Sequence, residues 1–467
     1  MKKFIIPASI ILVITIFALI YLHFRSPEQI QSVVSNVYQS PEADDTAINT
    51  NSTPVQGTGS TAPIKDIKVL PECVPDKLDL KYEVLSGDKI SDVFSGDHNF
   101  YFNPDGSYGK IPGVPCFRGN NLRNSAAYGT CPIDEKKLQK AWSIKIGHID
   151  TWTGVGWTGQ PAIIKWPDDV KNIMNITPGK KAKNDLKEVI YATLDGNIYF
   201  LDLDDGGYTR EPIVTGYSHK GSVSVDPRGY PLLYAGQGIE QVHGKPVPCG
   251  YRIFSLINLK PLYFIDGYDS YALRKWPAFD SNGLLDAASD TFFECGENGV
   301  LYSIKLNTDF NKENGHISIA PNVAKYRYTS SYSPQLGTEN SPAFYKNLIF
   351  FADNSGLLQC VDINTLKPQW ARFLGDDTDS SIAIEEESGN PFLYTACEVD
   401  KQGSNGESHI RKINALTGEV MWENAFRCFY DSNTNGGALA SPVVGKNSIK
   451  DLVIFNIART GSKSGGK

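Results

Sequence analysis

One hairpin pattern, written again and again along the chain, limits most strictly what this sequence can fold into. The stretch "NLIFFADNSGLLQCVDINTLKPQWARFLG", from Asn347 to Gly375, holds three strand-like runs of alternating apolar residues separated by tight-turn residues. Similar stretches stand at "VIYATLDGNIYFLDLDDGG" and "FFECGENGVLYSIKLNTD". Three anchors recur in fixed order. The first is a short apolar strand, often led by Pro, read at "GQPAII" (Gly159), "KGSVSV" (Lys220), "KWPAFD" (Lys275), "NSPAFY" (Asn340), "DSSIAI" (Asp379) and "LASPVV" (Leu439). The second is an aromatic-rich strand: "VIYAT", "LLYAG", "FFECG", "IFFAD", "FLYTA" and "LVIFN". The third is a strand pair of the form apolar-x-x-apolar-Asp/Asn, a turn, then often Trp, as in "IRKINALTGEVMW".

Tyr191, Tyr234, Phe293, Phe351, Tyr394 and Phe455 mark the second anchor, at spacings of 43, 59, 58, 43 and 61 residues. Units of roughly 40–50 residues with four short strands each predict a β-propeller, the longer intervals holding loop insertions. One such sheet cannot hide both faces, so neighbouring blades must cover it. Six recurrences in fixed order speak against a β-sandwich with accidental similarity. Aromatic residues at 11% and 42 glycines suit an all-β chain with many tight turns.

The consensus apolar-Tyr-x-x-x-x-Gly-x-apolar-x-x-apolar-Asp-x-x-Thr-Gly-x-x-x-Trp resembles the pyrroloquinoline-quinone-like (PQQ-like) β-propeller repeat of the quinoprotein alcohol dehydrogenase-like superfamily. "HIRKINALTGEVMW" (His409 to Trp422) and "LLQCVDINTLKPQW" (Leu357 to Trp370) carry the likeness best, and it covers residues 139–467. Trp142, Trp370 and Trp422, with Gly196, Gly299, Gly356 and Gly418, stand as its structural blade residues. "KAWSIKIG" resembles the N-terminal strand that completes the last blade in this family, and "CFRGNNLRN" (Cys116 to Asn124) the Phe-Arg-Gly segment that precedes the first. The resemblance implies a propeller of seven or eight four-stranded antiparallel blades. About six are visible, and "LVIFNIARTGSKSGGK" leaves the last incomplete, as if the C-terminus were truncated. Quinone-binding enzymes of the family carry an adjacent Cys pair. The eight cysteines here are isolated, so PQQ is not expected as a cofactor.

Upstream, Lys2 and Lys3 precede an apolar run from Phe4 to Leu22, about long enough to cross a bilayer as a helix. No small-x-small cleavage site and no lipid-attachment cysteine follow; "HFRS" stands there instead. Residues 1–25 therefore read as an uncleaved signal anchor, with the body on the extracytoplasmic side of a bacterial cell membrane. Residues 26–66, rich in Ser, Thr and Pro, read as a disordered linker, and residues 67–138 as an N-terminal extension.

A formal charge of −7 with scattered Lys and Arg gives no basic stripe for nucleic acid. Seven separated histidines, no Cys-x-x-Cys, no Gly-x-Ser-x-Gly and no P-loop leave no catalytic or zinc constellation. "DLDDGGYTRE" from Asp202 only faintly resembles a calcium loop and reads as a turn. Cys116 and Cys131 flank a Gly/Asn-rich loop and form the most plausible disulfide.

In a four-stranded blade, the loops entering the first strand and the turns between strands two and three leave by one face. Those loops concentrate Trp152, Trp157, Tyr271, Arg274, Trp276, Tyr332, Asp376, Asp379 and Tyr430, a set suited to a protein, peptide or glycan ligand. The sequence thus reads as a membrane-tethered binding or scaffold module. A quinoprotein-like oxidoreductase, a polysaccharide-active propeller and an envelope-protein assembly factor are the alternatives.

Overall fold

A computed structural model describes residues 62–461 except 66, 97–98, 157–158 and 432–433. The expected anchor, and the linker as far as residue 61, lie outside the described residues, as does Trp157. Among the described residues no helix is long and apolar enough to cross a membrane.

Five antiparallel sheets of four or more strands follow one another along the chain, and a two-stranded sheet follows them. Blade 1 runs Ala162–Ile164, Glu188–Ala192, Asn197–Asp202, Ile213–Val214, and blade 2 runs Ser224–Val225, Leu232–Gly236, Gly250–Ser255, Pro261–Asp266. Blade 3 comprises Leu284–Asp286, Thr291–Cys295, Val300–Lys305 and Asn322–Thr329. Blade 4 comprises Ala343–Tyr345, Leu348–Ala352, Leu357–Asp362 and Lys367–Phe373; blade 5, Ala383–Glu387, Asn390–Ala396, Gly406–Asn414 and Val420–Cys428. Val443–Val444 and Val453–Ile454 form the two strands of blade 6. The second strands of blades 2, 3 and 4 are buried along their whole length, which explains why they read as unbroken apolar runs.

The repeated Asp or Asn has a definite task. Asp202, Asp362 and Asn414 each end a third strand, and each side chain accepts the N–H two residues on, from Asp204 (3.1 Å), Asn364 (2.8 Å) and Leu416 (2.9 Å). Ser255 Oγ does the same for Ile257 at 3.2 Å. These side chains start the turn into the fourth strand. Even an irregularity repeats: a register shift falls at Ile253/Phe254, Cys360/Val361 and Lys412/Ile413.

Tryptophan then locks one blade to the next. Trp370, fully buried on the outer strand of blade 4, donates Nε1–H to Ala415 O of blade 5 at 2.9 Å. A Cβ on Gly418, at φ +76°, would come within 3.2 Å of that ring. Trp142 makes the same contact onto blade 1, donating to Leu203 O at 2.8 Å. So "KAWSIKIG" docks as an outer strand docks, without regular strand pairing. Trp422 packs between Tyr394 and Phe455. Gly196, Gly299 and Gly356 occupy the turns between second and third strands of blades 1, 3 and 4, all at positive φ.

A ladder of equivalent positions joins the inner strands. Gln160 N donates to Ser222 Oγ (2.8 Å), Asn282 N to Ser341 Oγ (3.0 Å), Ser341 N to Ser381 Oγ (2.8 Å) and Ser381 N to Ser441 Oγ (3.1 Å). This ladder corrects one sequence reading. The inner strand of blade 3 is Leu284–Asp286, not "KWPAFD", because Asn282 occupies the ladder position and residues 277–280 still belong to the loop entering the blade.

The N-terminal extension is woven into the propeller. Ile64 and Asn347 of blade 4 exchange hydrogen bonds. Lys81–Ser86 and Lys89–Ser91 extend blade 3 beyond its outer strand, with Val84 opposite Tyr326. Residues 113–124 run through the centre. Gly113–Val114 pairs with the inner strand of blade 1, and Val225 N of blade 2 donates to Pro115 O at 2.7 Å. Asn282 Oδ1 of the blade 3 inner connection accepts from Phe117 N at 3.0 Å. Phe344 N of blade 4 donates to Asn121 O, and Ile384 N of blade 5 to Leu122 O, each at 2.8 Å. Gly119 is obligatory there: at φ +80° its Cβ would lie 1.8 Å from Ser125 O. Arg123, fully buried, donates to Pro342 O (2.9 Å), Phe117 O (2.7 Å) and Asn282 O.

That axial position also settles the cysteines. The expected Cys116–Cys131 bridge is not formed: Cys116 is buried in the central segment and Cys131 is exposed, and all eight thiols are free.

Candidate functional site

The residues two places before the ladder positions in blades 2 to 5 are Lys220, Asp280, Glu339 and Asp379. The ladder thus sets four charged side chains, one per blade, at the same point of the entering loops. The turns between second and third strands reach the same face and add Glu297 in blade 3 and Glu398 in blade 5. Asp377 joins them from the loop entering blade 5.

One oxygen each from Asp280, Glu297 and Glu339 lie within 4.8 Å of one another. Lys220 Nζ stands 3.0 Å from Asp280 Oδ2. Although burial pulls the Lys220 ammonium down, Asp280, Glu297 and Glu339 hold it above the ordinary lysine value. Burial pushes Asp280 up to about 6 against the pull of Lys220, with Glu339 adding repulsion. Glu297 is raised well above a normal carboxyl by burial, then by the charges of Glu339 and Asp280. Glu339 is half-buried and accepts from Asn354 Nδ2 at 2.8 Å.

A second acidic group adjoins it. Burial raises Asp379, helped by Glu339, Glu398 and Asp377. Glu398 is pushed up to about 7 by burial, against hydrogen bonds from Asp379 and Asn435. Lys401 Nζ lies 3.1 Å from Asp377 Oδ2. Glu339 repels members of both groups, so the six carboxylates behave as one electronegative well with two lysines in it.

The residues expected on this face divide. Trp152, Trp276 and Tyr332 are exposed at 41%, 37% and 44%, and Tyr332 pairs with Phe373, exposed on the outer strand of blade 4. Tyr271 is buried: its hydroxyl donates to Glu83 O at 3.0 Å and Arg327 covers its ring, because the hairpin at residues 81–91 lies over it. Arg274 is half-buried and donates to Leu336 O. Asp376 is buried and structural, accepting the N–H groups of Asp400, Lys401 and Gln402. Asp379 belongs to the well, and Tyr430 is half-buried. Lys220, Asp280, Glu297, Glu339 and Glu398 were missed. Lys220, Asp280 and Glu339 share one signal, the register two residues before Ser222, Asn282 and Ser341, whereas Glu297 and Glu398 stand in the turns between second and third strands and lack it.

The turn at Asp202 is closed by lysine: Lys180 and Lys183 bridge Asp202, Asp204 and Asp205 at 2.6–2.8 Å. Their ammonium groups stand where a bound cation would.

No protein-family model and no curated protein matches this chain. Among solved structures, BamB from Moraxella catarrhalis is similar over 54% of this chain and 65% of its own, at 14% identity and a TM-score of 0.34. The quinohemoprotein alcohol dehydrogenase ADHIIG from Pseudomonas putida HK5 aligns over 67% and 48%, at 12% identity and 0.42. A europium-containing methanol dehydrogenase aligns over 71% and 87%, at 10% and 0.38. The chain thus spans less than two thirds of BamB and about half of ADHIIG. The propeller itself is established by the blades and the ladder that joins them.

Proposed function

We propose that this chain is a non-catalytic binding propeller that docks a protein partner on the face of the entering loops. One observation carries the reading: Trp152, Tyr268, Leu273, Trp276, Tyr332 and Phe373 are large, exposed and all placed on loops or strand ends of that face. Exposed aromatic groups are expensive to leave in water, and Trp and Tyr are the side chains that most often anchor interfaces. The Phe4–Leu22 run with Lys2 and Lys3 supports tethering to a membrane, with the propeller on its outer side.

The test places a photo-crosslinking residue at Tyr332 in the full chain in its native cell. One dominant protein adduct is expected, its yield falling several-fold when Trp276→Ala is added. Equal capture from a position in the turn into the blade 4 outer strand, such as Lys367, would overturn the assignment of the face.

A further inference from the structure

Lys220 and Asp280 form a buried ion pair that spans two blades. The ammonium stands 3.0 Å from Asp280 Oδ2, with the lysine side chain 17% exposed and the aspartate 0%. Gly238 lies tight against both: a Cβ there would come 2.4 Å from Asp280 Oδ1 and 2.6 Å from Lys220 Cγ, so only bare backbone fits across the pair. Keeping two charges in such a place costs desolvation on each. A third group stands beside them. Glu297 is 1% exposed, one of its oxygens lies within 4.8 Å of an Asp280 oxygen, and its Oε1 receives no hydrogen bond among the described residues. Burial first, then the charges of Glu339 and Asp280, hold a proton on Glu297 against the pull of Lys220 and Arg274.

We propose that Lys220 and Asp280 condense into an intramolecular isopeptide bond, bracing the loop that enters blade 2 to the loop that enters blade 3, with Glu297 as proton carrier. An amine, a carboxyl group and a neighbouring acid in a poorly solvated place are the groups that amide formation needs. The step balances without a co-reactant. The Lys220 ammonium gives up a proton within the cluster, the freed lone pair attacks Asp280 Cγ, and a C–N bond forms as the bond from Cγ to Oδ2 breaks. The nitrogen gives up two of its three protons in all, and the oxygen leaves as water carrying two. Glu297 lends its proton to the leaving oxygen and recovers one from the nitrogen, so it is not consumed. Holding the two groups side by side supplies the rate, since well-oriented neighbours reach effective concentrations of about 10⁵–10⁸ M. One cation and one anion disappear together, so the balance among Arg274, Lys401, Glu339, Asp377, Asp379 and Glu398 is unchanged. The bond involves no partner and stands apart from the docking proposal.

The experiment measures the mass of the full chain, purified from its native cell, denatured and reduced, and then maps its proteolytic peptides. The chain is expected to be lighter than its sequence by one water, and one branched peptide should join Lys220 to Asp280 and survive reduction. Lys220→Arg and Asp280→Ala should each restore the missing water and abolish the branched peptide. Glu297→Gln should leave most chains unlinked, whereas Glu339→Gln, which spares the proton carrier, should link as the parent does. If a variant fails to fold, the branched peptide of the parent still decides whether the bond exists. A parent of full sequence mass without that peptide would overturn the proposal, and so would a loss of water mapped to any other residue. Linkage in Glu297→Gln as complete as in the parent would overturn the role given to Glu297.

Discussion

Replacing Arg123 tests the central segment most directly. Its guanidinium is wholly buried and serves main-chain carbonyls of Phe117, Asn282 and Pro342, belonging to three separate stretches of chain. Arg123→Met keeps much of the volume and removes every donor. Each orphaned buried carbonyl costs about 1–3 kcal/mol, and removing one partner of a buried charged contact costs about 3–5 kcal/mol in all. Asn282 Oδ1 retains Phe117 N, so it is not orphaned with the rest. We expect a loss of about 4 kcal/mol for Met by these terms. Arg123→Lys should lose about 2 kcal/mol, because one ammonium cannot span three carbonyls spread around a planar fork. Urea unfolding followed by tryptophan fluorescence measures both, with exposed Arg427→Met as a control expected within about 0.5 kcal/mol of the parent. A loss below about 1 kcal/mol for Arg123→Met would refute the claim that this side chain fastens the centre.

Burial raises Glu294 to about 8, against hydrogen bonds from Ser281 and Gly283 and the charge of Arg123. Because the folded value exceeds the unfolded one, the folded state holds the extra proton and stability is lost as pH rises from about 4.5 toward 8. Glu294→Gln should therefore gain on the parent across that window, by about 2 kcal/mol or more at pH 8.5, read from urea midpoints; a constant difference would contradict it. Of eight free cysteines only Cys131 is exposed. A maleimide should add once to the native protein and eight times after unfolding, as read by intact mass; two native additions would contradict the burial pattern.

The strand order was readable because its signals are local. "LLYAG" at Leu232–Gly236 is the second strand of blade 2 to the residue, since an apolar run between turn residues leaves little choice of conformation. The Pro-led cue misled once, at "KWPAFD", where Pro277 and Ala278 lie in the entering loop while Leu284–Asp286 supplies the strand. The centre was illegible for a different reason. "CFRGNNLRN" has no period, and its partners lie far away in sequence: Asn282 is 159 residues from Arg123 and Ile384 is 260 from Asn124. For the site, aromatic residues on loops pointed to the face on which the buried carboxylates also gather. Nothing in the sequence showed that the hairpin at residues 81–91 would cover Tyr271, or that Asp376 would be consumed in holding residues 400–402. Of the carboxylates in the well, Asp280, Glu339 and Asp379 align only after the ladder is known.

The segment at residues 113–124 changes what kind of object the blades compose. Stacked repeats normally touch only their neighbours, so they can fray from an end and can gain or lose a unit over time. Here one strip of chain touches the inner connections of five successive blades through its backbone. Its partners are fixed by position: Pro115 to blade 2, Phe117 to blade 3, Asn121 to blade 4, Leu122 to blade 5. Duplicating or deleting one blade would set every later blade against the wrong residue of that strip. The number and order of these repeats are thereby frozen, and a protein that reads as a simple repetition behaves as an axle with fitted spokes.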